Sequence, residues 1–391
     1  MKYAAWIVLA CCAGPDVAPP VVPQTPAPVL DAAPSSPLPA DADADAGAAE
    51  PLSPRSPPDA TQAPEIWLKG STHVHARPSG DATTSIDDVM SWYEQRGYDF
   101  IVLTDHNRVS EVDGGQTQGQ LAVHLPDPRH SLIVLSGIEL THNPSGCLPP
   151  GDPSKKCRIH VNVIAPTARP GGKLEWAERH SHLRLDMYRA ALNAAKALGG
   201  ALVQINHPQW FWGMTGDLLA ELVQRGASLV EISNIQFTKW NLGDGEHPST
   251  EALWDDVLGR GLTLWGVASD DAHDYSDPHA RHRGKWPAGG GWIVVKARRD
   301  PRSIVDAIAA GHFYASTGVE LSRAEVVGED LIVEVDPAAT GTYTIAWIEN
   351  GKLVATDHGK AGRRALPASG YLRADVTRDD GSEAWVQPAR R

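Results

Sequence analysis

The chain has 391 residues, 42% hydrophobic and 21% charged, which leaves room for one large catalytic domain and a small module. Its formal charge of −13 argues against a protein that coats nucleic acid, which needs a basic face or stripe. Some of that acidity suits metal ligands, whose charge bound cations would offset.

In chain order, the first segment reads as an export signal at 1–13. Lys2 supplies a positive start, and residues 4–10 form an apolar stretch too short to span a bilayer. The run Val8-Leu9-Ala10-Cys11 resembles a bacterial lipobox, in which the cysteine is lipidated; the competing reading is an ordinary cleaved signal or an apolar tail. A diacylated cysteine would hold the chain at a membrane. Residues 14–64 are dominated by Pro, Ala and Asp. Such a segment cannot bury enough apolar surface to order itself, and its prolines favour an extended spacer.

From residue 65 short β-rich runs alternate with helical stretches. Strands are expected at 66–74, 99–104, 131–140, 158–165, 201–206, 228–233 and 262–268. Helices fit at 85–95, opened by Ser85 with Asp88 three residues on, and at 174–198, stopped by Gly199-Gly200. Two more fit at 217–224 and 250–259. This alternation predicts an α/β fold with a parallel sheet, rolled into a seven-stranded β/α barrel over 65–320. Beyond residue 320 the helices stop. Strands at 330–335, 341–349 and 370–377, with the turn Asn350-Gly351, predict a small C-terminal β module over 321–391.

Four cysteines are present, two of them in the processing site. Cys147 and Cys157 flank a polar loop, and in an exported chain the pair reads as a disulfide. The competing reading, a cysteine metal site, lacks CxxC spacing and a histidine within the loop.

The 16 histidines fall unevenly on the expected strands. His73 and His75 lie two apart at the end of the first strand, where alternation points both to one side. Asp105-His106 follows the second strand, Glu139 ends the third, His160 lines the fourth and His207 ends the fifth. Asp271 and His273 follow the seventh, again two apart. In parallel α/β barrels chemistry sits where strands end and loops begin. Imidazole and carboxylate are ligands for zinc, iron and manganese, and the mixed set predicts a cluster with Glu139 able to bridge ions. Each piece alone also reads as an ordinary buried histidine or a turn; the recurrence at successive strand ends is what carries the inference.

The ordered set HxH, Thr-Asp-His, Gly-Ile-Glu, His, Asn-His-Pro and Asp-Ala-His resembles the PHP (polymerase and histidinol phosphatase) superfamily over about residues 65–320. The resemblance implies a distorted seven-stranded β/α barrel with two or three divalent metal ions. Carried over by motif, the ligands would be His73, His75, Asp81, His106, Glu139, His160, His207, Asp271 and His273. Asp81 enters because the family carries a third ligand after HxH, and Asp105 would orient the ligand His106 or bind directly. The segment Gly311-His312-Phe313-Tyr314 and the ending around Trp385-Val386-Gln387-Pro388 resemble the branch that includes carbamate-hydrolysing enzymes. Ala76 departs from the Thr or Ser common after HxH, and the loop over 140–158 is longer than the core motif needs.

A basic loop at 275–291, with His279, Arg281, His282, Arg283 and Lys285, reads either as an anion-binding element or as a solvated loop offsetting an acidic chain. Glu139, Asp105 and Arg281 are thus the candidate catalytic residues. Trp210, Phe211 and Trp212 read either as a pocket wall or as packing on the fold. No GxSxG elbow or GxxxxGK[ST] loop is present. The expected function is hydrolysis of phosphate esters, a small-molecule substrate class. The alternatives are hydrolysis of carbamates, carboxylic esters or amides, and a non-enzymatic metal-binding surface protein. The expected partners are that substrate and, through the lipid anchor, the cell envelope membrane.

Overall fold

The computed structural model describes residues 63–110, 116–118, 121–123, 130–144, 157–176, 183–275 and 288–391. The leader with Cys11 and Cys12, nearly all of the spacer, Cys147, and Arg281 with the other basic residues of its loop lie outside these residues.

The chain begins with β1 (Ile66–Val74), α1 (Ile86–Glu94) and β2 (Phe100–Leu103), then a hairpin of β3 (Gln116–Gln118) and β4 (Leu121–Val123). β5 (Ile133–His142), β6 (Ile159–Ile164), α2 (Arg184–Ala197) and β7 (Leu202–Ile205) follow. Next come α3 (Gly216–Gln224), β8 (Leu229–Asn234), α4 (Thr238–Asn241), α5 (Thr250–Gly259) and β9 (Trp265–Ser269). β10 (Trp292–Ala297), α6 (Pro301–Ala310) and β11 (Phe313–Ser316) lead into the last strands. These are β12 (Leu321–Val327), β13 (Asp330–Val335), β14 (Tyr343–Glu349), β15 (Lys352–His358), β16 (Ala361–Ala365), β17 (Leu372–Arg378) and β18 (Glu383–Ala389).

Local chemistry explains several boundaries. Ser85 caps α1 by accepting from the Asp88 amide at 3.1 Å, and Thr215, Ser249 and Asp300 cap α3, α5 and α6 in the same way. The helix expected from residue 174 starts only at Arg184. Leu174 donates its amide to the Asn107 carbonyl at 2.6 Å and Trp176 donates Nε1 to Asn107 Oδ1 at 2.8 Å, which ties 174–176 to the β2 loop instead. Among the described residues no helix is long and apolar enough to cross a membrane.

The seven expected strands are all present as β1, β2, β5, β6, β7, β8 and β9, but the expected barrel is not. They belong to one 13-stranded mixed sheet in the order β15-β14-β17-β18-β11-β10-β1-β2-β5-β6-β7-β8-β9. Closing a ring would require β9 to pair along β1. That edge of β1 is taken by β10, which runs antiparallel to it from Ile66↔Ala297 to Gly70↔Ile293. β6 also runs against both of its neighbours, so the sheet is not all parallel. The C-terminal strands are continuous with the same sheet: β18 pairs with β11, and β17, β14 and β15 extend from it. β12, β13 and β16 form a separate three-stranded antiparallel sheet.

Apolar side chains fill two large clusters. One gathers β5 to β9 with α2, α3, α5 and α6, around Leu135, Val161, Met187, Leu229 and Trp254. The other gathers α1 with the C-terminal strands, around Tyr93, Ile101, Tyr314, Trp347 and Val376. Gly137 permits the close approach of β5 to β2, since a Cβ there would stand 2.7 Å from Val102 Cγ1. Cys157 is buried and disulfide-bonded.

Candidate metal centre

The parallel strands β1, β2, β5, β7, β8 and β9 all run towards one rim of the sheet. Their last residues therefore collect there, as the sequence pattern requires. The reversed strand β6 starts at that same rim, so the ligand-type residue near its beginning, His160, arrives with the others. Across the rim the segment after β9 touches the end of β1: the His75 amide donates to the Ala272 carbonyl at 3.1 Å, and Val74 bridges Ala272. This contact brings Asp271 and His273 to His75.

Eight side chains form three overlapping groups whose ligand atoms lie within 4.8 Å of one another. They are His75, Asp81, His106 and His273; His73, His75 and Glu139; and Glu139, His160 and His207. Asp271 joins the middle group, with Oδ1 at 3.1 Å from His73 Nε2 and 3.2 Å from His75 Nε2. Glu139 lies between the groups: Oε1 is 3.2 Å from His73 Nε2 and 2.9 Å from His160 Nδ1, and Oε2 is 2.5 Å from His106 Nδ1. Asp81 is the most exposed member, its side chain 48% accessible, and it meets His106 Nε2 at 2.9 Å and His273 Nε2 at 3.3 Å. All nine residues assigned as ligands from the sequence thus converge.

Four of the imidazoles are steered by their second nitrogen. His73 Nδ1 lies 2.7 Å from Glu231, His160 Nε2 lies 2.9 Å from Asn143 Oδ1, and His273 Nδ1 lies 2.8 Å from the Asp271 carbonyl. His75 Nδ1 faces Ser79 Oγ at 3.0 Å. A partner at one ring nitrogen fixes the tautomer and presents the other nitrogen as a lone pair. The Nε2 atoms of His73, His75 and His207 are buried without a hydrogen-bond partner among the described residues, although carboxylate oxygens stand within 4 Å of each. Buried polar atoms are rarely left so. Convergent nitrogens and carboxylate oxygens of this kind fit divalent cations, and these clusters could hold metal ions.

The electrostatics agree with that donor set. Burial, reinforced by His273 and His106, pushes His75 down to about 3, and burial with His160 pushes His207 down to about 4. Both are neutral at pH 7, the form that binds metal. For His73 and His106 burial works in the same direction but is outweighed. Asp271, Glu231 and Glu139 raise His73 well above its ordinary value, and Glu139 with Asp81 raises His106 to about 10. Burial opposes ionisation of Glu139, yet His160, His106 and His73 hold its carboxyl well below the usual range. The same negative field that raises these imidazoles attracts cations.

Backbone strain gathers at this rim. His207 and Asp271 have φ of 25° and 46°, and Asn107, Phe211 and Trp212 lie at 51°, 58° and 59°. Non-glycine residues avoid this region, and such conformations concentrate at functional sites.

The proposed catalytic residues part company here. Glu139 is central. Asp105 points elsewhere: it accepts from the Ala76 amide at 2.8 Å and from Ser110 Oγ, and burial pushes it up to about 6. It holds the backbone that follows HxH rather than joining the converging groups. Arg281 lies outside the described residues. Sequence reasoning missed Glu231 and Asp270, both fully buried. Glu231 accepts from the His207 amide at 2.5 Å, from Ser269 Oγ at 2.5 Å and from Asn234 Nδ2 at 2.9 Å, in addition to contacting His73. The available signal was a lone carboxylate in the buried run Val230-Glu231-Ile232. Asp270 accepts from Ser71 Oγ at 3.1 Å and from the Gly289 amide at 2.6 Å, and burial raises it to about 7. Asn206, just after β7, donates to Glu139 Oε1 at 2.8 Å and to Asn162 Oδ1 at 2.9 Å.

No protein-family model matches the chain, and no curated protein is significantly similar to it.

Proposed function

We propose that this chain is a metal-dependent hydrolase of phosphate esters, of the polymerase and histidinol phosphatase type, using two or three zinc, manganese or iron ions. The observation that carries this reading is the convergence of nine imidazoles and carboxylates on one rim, with the buried Nε2 atoms of His73, His75 and His207 lacking hydrogen-bond partners among the described residues. Cations bound there would polarise the phosphoryl group and bring the pKa of a water towards about 7. The chain's own part is to hold that centre: Glu139 links the groups, the second ring nitrogens fix the imidazoles, and Asn206 and Thr141 orient the Glu139 carboxylate.

The preference for phosphate rests on charge. Arg77, Arg108 and Arg158 each lie two residues from a proposed ligand, and none has a carboxylate partner among the described residues. Arg189, Arg260, Arg302 and Arg363, away from the rim, are each paired with one. Guanidinium groups that no carboxylate neutralises suit an anionic substrate. The second reading, carbamates, carboxylic esters or amides at the same centre, is favoured by the apolar shelf of Trp210 and Phe211, stacked at 5.1 Å. Export to an oxidising compartment, with an anchor at Cys11, belongs to the same proposal, and the disulfide at Cys157 supports it.

The test is a parallel panel of p-nitrophenyl phosphate, bis(p-nitrophenyl) phosphate, p-nitrophenyl acetate and an aryl carbamate. Hydrolysis of the phosphates is expected with manganese or zinc, abolished by a chelator and restored by the metal. Metal-loaded protein that cleaves only the acetate or carbamate moves the assignment to the second reading. Inertness on every member removes the hydrolase reading.

A further inference from the structure

Arg158 precedes β6 by one residue and lies two residues from His160, on the same side of an extended chain. Its guanidinium carbon stands 4.9 Å from the Trp210 ring centre and 5.6 Å from that of Phe211. Its Nε is buried and has no hydrogen-bond partner among the described residues. Trp210 in turn meets the rings of His160 and His207 edge-on, at 5.3 and 5.1 Å. The order in space is therefore the imidazoles of the metal centre, one indole ring, then an unpaired cation.

A guanidinium taken partly out of water normally recovers the loss through a carboxylate or several hydrogen bonds. Arg373, the most buried arginine of the C-terminal sheet, does so with Asp255, Asp375 and Glu251. Among the described residues Arg158 has only ring faces, which hold its plane while leaving the edge donors to a ligand. The shelf under it is itself held at a cost, since Phe211 and Trp212 both sit in the left-handed region at φ of 58° and 59°.

We propose that Arg158, with Trp210 and Phe211, forms a second anion subsite that recognises a carboxylate or phosphate one aromatic ring away from the scissile group. The inference rests on the phosphate-ester reading for the group at the metals, and it narrows the substrate class to aryl or similarly flat phosphate esters with a distal negative charge. Arg158 is a specificity residue here, not a catalytic one.

The test uses the full metal-loaded protein and two non-hydrolysable probes, phenylphosphonate and 4-carboxyphenylphosphonate, with binding measured by calorimetry. A charge-assisted contact to the distal carboxylate predicts that wild type binds the carboxylated probe about tenfold more tightly. In Arg158→Gln the two probes bind alike. Arg158→Lys keeps the charge but loses the flat fork, and retains only part of the preference; it also serves as the test variant if the glutamine variant misfolds by circular dichroism. Equal binding of the two probes by wild type, or a full preference surviving in Arg158→Gln or Arg158→Lys, overturns the subsite. The two readings fail separately. Turnover of phenyl phosphate without an Arg158-dependent preference overturns the subsite alone. An Arg158-dependent preference without turnover of any phosphate ester upholds the anion subsite and overturns the phosphate-ester assignment.

Discussion

Replacing Glu139 with Gln is expected to remove more than about 100-fold of the turnover on an aryl phosphate, exceeding the loss typical of an outer partner of a metal site. The carboxylate lies within 3.2 Å of ring nitrogens from His73, His106 and His160, so both groups that contain it lose their shared anion at once. An amide has nearly the same shape but no charge, and its NH2 end would face imidazole nitrogens that need to remain lone pairs. The rate is expected to fall further than substrate affinity, because the damage lies at the reacting group rather than along the substrate. Steady-state kinetics with elemental analysis of the same preparation checks this. Full metal occupancy with an unchanged rate would show that Glu139 is not a ligand.

The next largest effect is expected at a residue that binds no substrate. Glu231→Gln should weaken metal affinity or activity by roughly 10–100-fold, the usual cost of losing a partner that orients a ligand. One carboxylate oxygen holds His73 Nδ1 at 2.7 Å and Ser269 Oγ at 2.5 Å; the other takes the His207 amide at 2.5 Å. A glutamine cannot accept at both ends, so either His73 loses its tautomer lock or the His207 backbone amide is left unpaired. The His207 backbone already sits at φ 25°, a strained position that needs that bond. Manganese titration of wild type and variant reads the shift directly, and coincident titration curves would mean that Glu231 is structural filler.

The site was more legible in the sequence than the architecture. Ligand types recur at strand ends because a parallel sheet brings those ends to one rim, and that regularity is visible without knowing how the sheet is bounded. His73 and His75 show their common face through spacing alone. The boundary of the sheet is not local information. Nothing within residues 292–297 states that β10 pairs antiparallel with β1, and this one pairing takes the edge that a closed barrel needs. The reversal of β6 is hidden for the same reason, although it left His160 at the correct rim. Glu231 escaped notice because a residue inside a strand carries no positional mark; only its charge among buried neighbours set it apart. Arg158 was read as a strand start, and its stacking on Trp210 depends on a contact across about 50 positions of chain that spacing rules do not reach. Arg281 drew attention through the local density of basic residues, which reports composition rather than position.

Metal stoichiometry tests the central claim most directly. Full-length protein would be stripped with a chelator, reloaded with manganese or zinc, dialysed and analysed for bound metal per chain, beside His75→Ala. His75 belongs to two of the three groups, so the account predicts two or three tightly held ions in wild type and a loss of more than one in the variant. Less than one ion per folded wild-type chain, or equal occupancy in His75→Ala, would contradict it.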